Sequence, residues 1–322
     1  MGRYLVTGGA GFIGGRIVER LVARGDEVVV LDDLSTAAAP VVADGATLVL
    51  ADLAREQTYA ERLDGTFDAV LHLGAQSSGE ISHADPLRDF DVNARGTLLM
   101  LQWAEARGVP RFLHASSMAV YGPVQGPVSE SAPARPQSYY GVSKVAAEAA
   151  VQFFGGRGLQ TTIFRMFNVY GPGQNLANLR QGMLSIYLAY LLRGEPVLVK
   201  GALDRYRDFV HVDDVASAWL AALDADSDVG PRLYNLATGR RTTVAELLDR
   251  LGQAFGYAPH ACPMTVAEGT PGDMHGSVGD VSRIGAELGW RPEMELDDGI
   301  TGMVEWARGV AEATEGAEGQ NR

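Results

Sequence analysis

A short apolar run at residues 4–6 ends in a cluster of glycines, and from Ile13 the apolar residues return at helical spacing, Ile17, Val18, Leu21 and Val22, until Gly25. That order predicts a strand, a glycine loop and a helix. Further strand-length apolar runs cover residues 27–31, 47–50, 69–73, 111–115 and 161–165, each separated from the next by a longer segment. Alternation of this kind predicts an α/β fold with a doubly wound parallel sheet of the Rossmann type over residues 1–168. After Asn168 the pattern changes to a Gly/Pro/Asn-rich connector, YGPGQNLAN, then a helix near 182–193 and a mixed α/β region to about Arg308. Residues 169–308 are therefore expected to form a smaller substrate domain, with part of 207–238 packing back on the first. The closing GVAEATEGAEGQNR, 309–322, has little to bury and is expected to fray.

With 322 residues, 46% of them hydrophobic, the chain has material for one large core or two moderate ones. A net charge of −13 disfavours nucleic acid and anionic lipid, so a phosphate-bearing ligand must be held by local positive potential. The single cysteine, Cys262, allows no intrachain disulfide and no cysteine metal cluster. The apolar N-terminal run is too short for a signal peptide and the run 183–192 too short to span a bilayer, so a cytoplasmic location is expected.

In VTGGAGFIGG the glycines at 8, 11 and 14 stand between strand and helix, where backbone N–H groups and the helix dipole can face a pyrophosphate; a plain tight turn is the alternative. The next strand ends in VVVLDDLS. That places Asp32 where a carboxylate accepts hydrogen bonds from an adenosine ribose, which favours NAD. A 2′-phosphate would meet that carboxylate, and beyond it no arginine precedes Arg55, so NADP should bind poorly. Asp52 stands where it can meet the adenine amine or simply cap the next helix.

Only two lysines occur, and one of them, Lys144, stands four residues after Tyr140 in YYGVSK. Val142, Val145, Ala146, Ala149, Ala150, Phe153 and Phe154 form an apolar stripe on that helix, so Tyr140 and Lys144 share a second face. A phenol with a free pKa of about 10 is a poor base near neutrality, and a fixed ammonium beside it, with a positive nicotinamide, would stabilise the phenolate. A compact ammonium also reaches both ribose hydroxyls, which suits lysine better than arginine. In FLHASSMAVYG a strand ends in two serines at the carboxyl edge of the sheet, where Ser117 becomes a candidate donor, though turn serines are common there.

Together TGGAGFIG, the Tyr140-Gly-Val-Ser-Lys144 motif, the serine strand ending in VYG, FNVYGPG, RDFVHVDDVA and GTPGD resemble the extended short-chain dehydrogenase/reductases that act on nucleotide sugars, especially the UDP-galactose 4-epimerase group. The resemblance spans nearly the whole chain. It implies NAD as cofactor, a homodimer, and a nucleotide-sugar substrate, with no nucleic acid or membrane partner. By that resemblance Gly8, Gly11, Phe12, Ile13, Gly14, Asp32, Asp33, Asp52, Leu53, Leu73, Gly74, Ala75, Tyr140 and Lys144 contact the cofactor. Ser117 and Tyr140 contact the sugar's C4 oxygen and Asn168 the substrate. Arg207 meets the diphosphate, although on residues alone it equally suits an ion pair with Asp208. Ser78, Asp273 and Ser277 complete the expected substrate set. Two departures stand out: the family's HLAA is His72-Leu73-Gly74-Ala75, and the arginine often preceding PGD is Thr270, whose part Arg180 or Arg205 would have to take.

Members of this group begin by moving hydride from the sugar's C4 to NAD. Sugar 4,6-dehydratases carry an acid pair just before VYG, and nucleotide-sugar decarboxylases commonly a glutamate at the second position; here those positions hold Met118 and Ala119. What remains is C4 epimerisation. Dehydration or decarboxylation is the runner-up, and a silent NAD-binding sensor on the same fold a third reading. His72 and His114 lie in predicted strands and read as core; the six histidines show no metal spacing. Asp213-Asp214 reads as a helix start.

Overall fold

In this computed structural model, residues 1–36, 42–124, 126–225, 231–269 and 275–320 are described, with side chains through 312. The first half runs β1 (Arg3–Thr7), α1 (Phe12–Ala23), β2 (Glu27–Asp32), β3 (Thr47–Leu50), β4 (Ala69–His72), α2 (Gly79–Ala84), α3 (Pro86–Phe90), α4 (Gly96–Ala106), β5 (Arg111–Ser117), β6 (Pro127–Val128), α5 (Tyr139–Gly155) and β7 (Gln160–Met166). One π-helical turn, Asp91–Arg95, joins α3 to α4. The second half runs β8 (Asn168–Tyr170), α6 (Met183–Leu192), β9 (Val197–Lys200), β10 (Tyr206–Arg207), β11 (Phe209–His211), α7 (Val212–Asp224), β12 (Arg232–Leu236), β13 (Thr242–Thr243), α8 (Val244–Phe255), β14 (Met264–Ala267), β15 (Val278–Gly279), α9 (Ser282–Leu288) and α10 (Leu296–Gln320).

Seven parallel strands form the main sheet in the order β12-β7-β5-β4-β1-β2-β3. The six runs read as strands each lie in this sheet. β12 completes its edge and was not legible as a strand beforehand. The order reverses between β1 and β4, which opens a crevice at their carboxyl ends, where doubly wound folds take ligands. Val6, Val30, Leu71, Leu113 and Phe164 pack from the sheet against Ile17, Val18 and Leu21 of α1 and Val215 and Trp219 of α7. On the other face Leu5, Leu31, Val70 and Phe112 meet Met100 and Leu101 of α4 and Val151 and Phe154 of α5. Burying such runs on both faces is what lets a parallel strand be almost wholly apolar.

A separate apolar cluster joins Leu184, Leu188 and Leu191 of α6, Val197 and Val199 of β9, Leu247 and Leu251 of α8, and Ile300, Met303 and Val304 of α10. Thr243 and Glu246 close a capping box on α8, each side chain serving the other's backbone N–H. Asp213 and Asp214 stand in the first turn of α7, where Asp213 takes Arg16 and Arg20 of α1, and Asp214 takes the backbone N–H groups of Glu293 and Met294. The last helix runs on to Gln320, through the stretch from 309 where composition argues for fraying.

One reversal of burial matters for the site. The apolar stripe of α5 faces the core only in part: Phe154 is buried there, whereas Val142 is 46% and Phe153 63% exposed. The buried face also carries Ser143, Lys144, Ala147, Glu148 and Val151. A helix in this position turns its polar chemistry inward and part of its apolar surface outward.

Candidate active site

The phosphate loop is built by close approach. Gly8 has φ +69°, and a Cβ at Gly14 would lie 2.1 Å from the Gly8 carbonyl oxygen, so α1 can start against the loop only with glycine there. Gly11 is the N-cap of α1, and Phe12 and Ile13 form its first turn, leaving unpaired N–H groups toward the crevice. The loop is fixed by Asp32, whose carboxylate accepts from the N–H of Ala10 at 3.0 Å and of Leu34 at 2.8 Å. Burial pushes Asp32 above the usual carboxylate range, against those two bonds. Gly74, the departure from HLAA, stands where a Cβ would meet Leu53 Cδ1 at 2.3 Å, and its N–H donates to Thr7 Oγ1 at 3.0 Å. Thus Leu53, Leu73, Gly74 and Ala75 come beside the glycine loop across the switch point.

Asp33 and Asp52 line an open pocket of ≈ 500 Å³ with Leu50, Ala51, Thr58 and Arg62. Across it reaches Arg88 of α3, 3.1 Å from Asp52 Oδ2 and 3.5 Å from Asp33 Oδ2. Burial alone would push Asp52 up; the Arg88 hydrogen bond and the Ala54 N–H outweigh it, and the carboxyl ends below its ordinary pKa. Arg88 was missed by the sequence argument, which counted cations only along the chain near Asp32. It arrives from fifty-odd residues downstream because α3, capped by Asp85 with Pro86 at its first turn, lies over this edge. Asp52 does not cap a regular helix here, although its Oδ1 does hold the Ala54 N–H. These residues fit a dinucleotide: an N–H-lined glycine turn for the pyrophosphate, a carboxylate at the ribose position and an open pocket for the base.

At the carboxyl end of β5, Ser117 faces the Tyr140 phenol closely enough to favour its ionised form. Lys144 is 3% exposed, its Nζ donating to the Ala115 carbonyl at 2.9 Å and lying 5.8 Å from the centre of the Tyr140 ring. Ser138 caps α5 and sets its entry angle. Contrary to the expectation from Lys144, the chain by itself does not favour the phenolate. Burial pushes Tyr140 up to about 12, the Ser117 contact opposes this, and the negative charge of Asp89 adds to it. Burial likewise pushes Lys144 down to about 8, resisted by Asp89 and then Glu148. The ammonium alone therefore does not make Tyr140 a base near neutrality.

Asn168 donates to the Asp208 carbonyl at 3.0 Å and approaches Met118 Sδ at 3.8 Å. Ser277, 2% exposed, donates to the same sulfur at 3.0 Å, so Met118 links Ser117's strand end to Asn168 and Ser277. Arg207, 4% exposed, donates to the carbonyls of Tyr206 and His275. Asp208 turns elsewhere, accepting from Thr238, Gly239 and Gly279. The hydroxyl of Ser78 is engaged with the Arg180 carbonyl and the Ile81 N–H. Arg180 lies 3.5 Å from Glu80, and Arg205 donates to the carbonyls of Ala202 and Lys200. Asp273 and Thr270 lie outside the described residues. His72 is held between Thr7 and Thr97 and burial pushes it down to about 3; His114, stacked on it, is held well below its ordinary range by the same cause. Both are neutral core groups.

The profile of the NAD dependent epimerase/dehydratase family matches residues 4–237. The chain belongs to that family. A putative UDP-glucose 4-epimerase of Methanocaldococcus jannaschii is 33% identical over 308 residues, covering 94% of this chain and 98% of that protein. The crystal structure of the Thermotoga maritima UDP-glucose 4-epimerase with UDP-glucose superposes with a TM-score of 0.89 at 32% identity, over 96% of this chain and 99% of that one. The Thermus thermophilus UDP-glucose 4-epimerase in complex with NAD gives 0.86 at 36% identity, over 95% and 99%. NAD is the cofactor of this enzyme, an NAD-dependent nucleotide-sugar epimerase, and the glycine turn, Asp32 and the open pocket beside Asp33 and Asp52 fit it. Among the described residues no helix is long and apolar enough to cross a membrane.

Proposed function

We propose that the enzyme inverts C4 of a UDP-hexose or UDP-N-acetylhexosamine through a transient 4-keto sugar. NAD, when bound, supplies a hydride acceptor and donor at C4. Tyr140 takes the C4 hydroxyl proton as hydride leaves and gives it back when hydride returns to the other face. Ser117 donates to the C4 oxygen and, with it, orients the phenol; Lys144 holds the nicotinamide ribose and adds positive charge beside Tyr140. Tyr140, held up by burial despite Ser117, would need positive charge beyond Lys144 to ionise, which bound NAD⁺ would add. Arg207 and Asn168 are assigned to the diphosphate and sugar, with residues 169–308 as the sugar-binding side. The observation that carries this reading is the Ser117–Tyr140–Lys144 constellation with Met118 and Ala119 beside it. Neither of those side chains can protonate a departing C6 hydroxyl or deprotonate C5. The UDP-glucose 4-epimerase relatives support the substrate class.

Ser277, which contacts Met118, is assigned by the family resemblance to the sugar's C2 side, where a small hydroxyl would leave room for an N-acetyl group, so N-acetyl sugars are assigned as substrates beside UDP-glucose. We assign a cytoplasmic location and a homodimer, the latter on the support of the exposed apolar side chains Leu98 of α4 and Tyr139, Val142 and Phe153 of α5. Incubation of the NAD-loaded protein with UDP-glucose and UDP-N-acetylglucosamine, followed by mass spectrometry and NMR, tests the reaction. Products of unchanged mass with an inverted C4 are expected; loss of water or carbon dioxide would replace epimerisation with the dehydratase or decarboxylase reading.

A further inference from the structure

Helix α3 brings a carboxylate under the catalytic helix with no opposite charge bonded to it. Asp89 is 1% exposed. Its Oδ1 accepts from Gln76 Nε2 at 2.6 Å and from Asn93 Nδ2 at 3.2 Å, and its Oδ2 from Ser143 Oγ at 2.6 Å. All three donors are neutral, and no cationic side chain among the described residues pairs with it. A buried carboxylate of this kind costs several kcal/mol unless nearby charge or bonding offsets the lost hydration.

The three donors come from three segments that meet at the site. Gln76 follows Ala75 in the loop after β4, and it clasps Asn93 in both directions, N–H to Oδ1 and Nδ2 to carbonyl, each at 2.9 Å. Asn93 sits in the π turn, whose extra residue displaces the helix there from its regular register. Ser143 lies between Tyr140 and Lys144 in α5 and is also 3.0 Å from the Tyr140 carbonyl. Asp89 thus ties the cofactor-side loop, the π turn and the reactive helix to one anion.

The charged and titratable groups around Lys144 narrow its counter-ion to one. From β4 and β5 come His72 and His114, both neutral. On α5 stand Tyr140 and Glu148, and Glu148 is already held by both arms of Arg165 and by Ser116. From α3 comes Asp89. We propose that Asp89 is a positioning residue for proton transfer at Tyr140, its fixed negative charge serving as the counter-ion of the buried Lys144 while its three bonds lock the Tyr140–Lys144 face of α5 in place. This rests on Tyr140 being the proton-transfer group. The same charge opposes the burial of Lys144 more than Glu148 does, and it works against ionisation of Tyr140.

Asp89→Asn tests this with little change of shape. Its amide oxygen can accept from Gln76 and Asn93, and its amide nitrogen can donate to Ser143, whose own hydrogen can turn to the Tyr140 carbonyl. Removing one negative charge lowers the proton affinity of a neighbouring phenol and of a neighbouring ammonium alike. Both limbs of the kcat profile should therefore move to lower pH together. Tyrosinate absorbance in the near ultraviolet, assigned to Tyr140 by subtracting the Tyr140→Phe protein, should rise at lower pH as well. Limbs and titration that stay where they are would overturn the proposal even if kcat falls, because a merely structural role lowers kcat without moving either. Full activity in folded Tyr140→Phe would instead sink the reading beneath it, a separate result. Should Asp89→Asn fail to fold by circular dichroism, Ser143→Ala keeps the charge and cuts its tie to α5. That protein should lose roughly tenfold or more in kcat at unchanged KM, and an unchanged kcat would overturn the proposal.

Discussion

Replacing Arg165 by methionine should cost the fold about 4 kcal/mol. Arg165 and Glu148 are 5% and 4% exposed, joined by Nε to Oε1 at 2.9 Å and Nη2 to Oε2 at 2.7 Å. Ser116 Oγ supplies the third bond to Glu148, at 2.5 Å, and the guanidinium lies 4.6 Å from the centre of the Tyr121 ring. Arg165→Met removes two of the three donors and leaves a buried carboxylate facing one hydroxyl. Losing one partner of a buried pair costs roughly 3–5 kcal/mol, and the lost ring contact adds about 0.5–2. Methionine fills most of the vacated volume and returns some apolar burial, which brings the sum back to about 4. For a chain of this length that lowers the melting temperature by roughly 5–10 °C. The double variant Arg165→Met/Glu148→Leu removes the stranded charge and should recover to within about 2 kcal/mol of the parent, the residue being the orphaned Ser116 hydroxyl. Urea midpoints and thermal melts of the parent, both single variants and the double variant measure this. A loss below about 1 kcal/mol in Arg165→Met, or a double variant as unstable as the sum of the singles, would refute the reasoning.

Tyr140→Phe should keep the fold and lower kcat by at least about 10²-fold, the scale of general acid–base catalysis, as read from initial rates with UDP-glucose. Arg88→Ala should weaken ADP-ribose binding by about tenfold in calorimetry while UDP binding holds, since the change falls only on the base pocket; equal effects on both ligands would count against a local role. Lys144 has a folded pKa of about 8 against an ordinary 10.5. Between those values the folded chain has released a proton that the unfolded chain keeps, so this group adds stability as pH rises. Lys144→Met should therefore lose ground against the parent in urea midpoints from pH 8 to 10.5, and a gap that narrows would contradict the sign. Ser277→Tyr should selectively reduce turnover of UDP-N-acetylglucosamine relative to UDP-glucose, whereas equal loss on both would remove Ser277 from C2 discrimination.

The parallel sheet was legible because its inner strands are buried on both faces and read as largely apolar runs; the edge strand β3 buries only Val49 and was legible from its apolar TLVL alone. The places of the glycine turn at the start of α1, of Asp32 at the end of β2, and of Tyr140 and Lys144 on α5 were legible because each follows from spacing along one strand–loop–helix–strand segment or one helix. What escaped depends on contacts between distant segments. β12 is a five-residue strand, RLYNL, that gains its place only by pairing with β7. Arg88 and Asp89 sit on a helix of five residues, too short for any periodicity, yet one reaches the base pocket and the other the catalytic helix. Glu148 stands in a helix whose apolar stripe suggests an inward face; the inward face carries Ser143, Lys144 and Glu148 beside Val151 and Phe154, because the partners of Lys144 and Glu148 lie in β5 and β7. Asp85 as N-cap with Pro86 behind it was the local signal that could have marked α3.

In the proposed reaction hydride leaves C4 of the sugar and returns to the same carbon on its opposite face. The direct measurement is NMR of the product formed from UDP-glucose carrying deuterium at C4, incubated with the NAD-loaded protein. UDP-galactose with the deuterium retained at C4 and none at C5 is the expected product. Washout of the label into solvent, or deuterium retained in a product that has lost water or carbon dioxide, would contradict it.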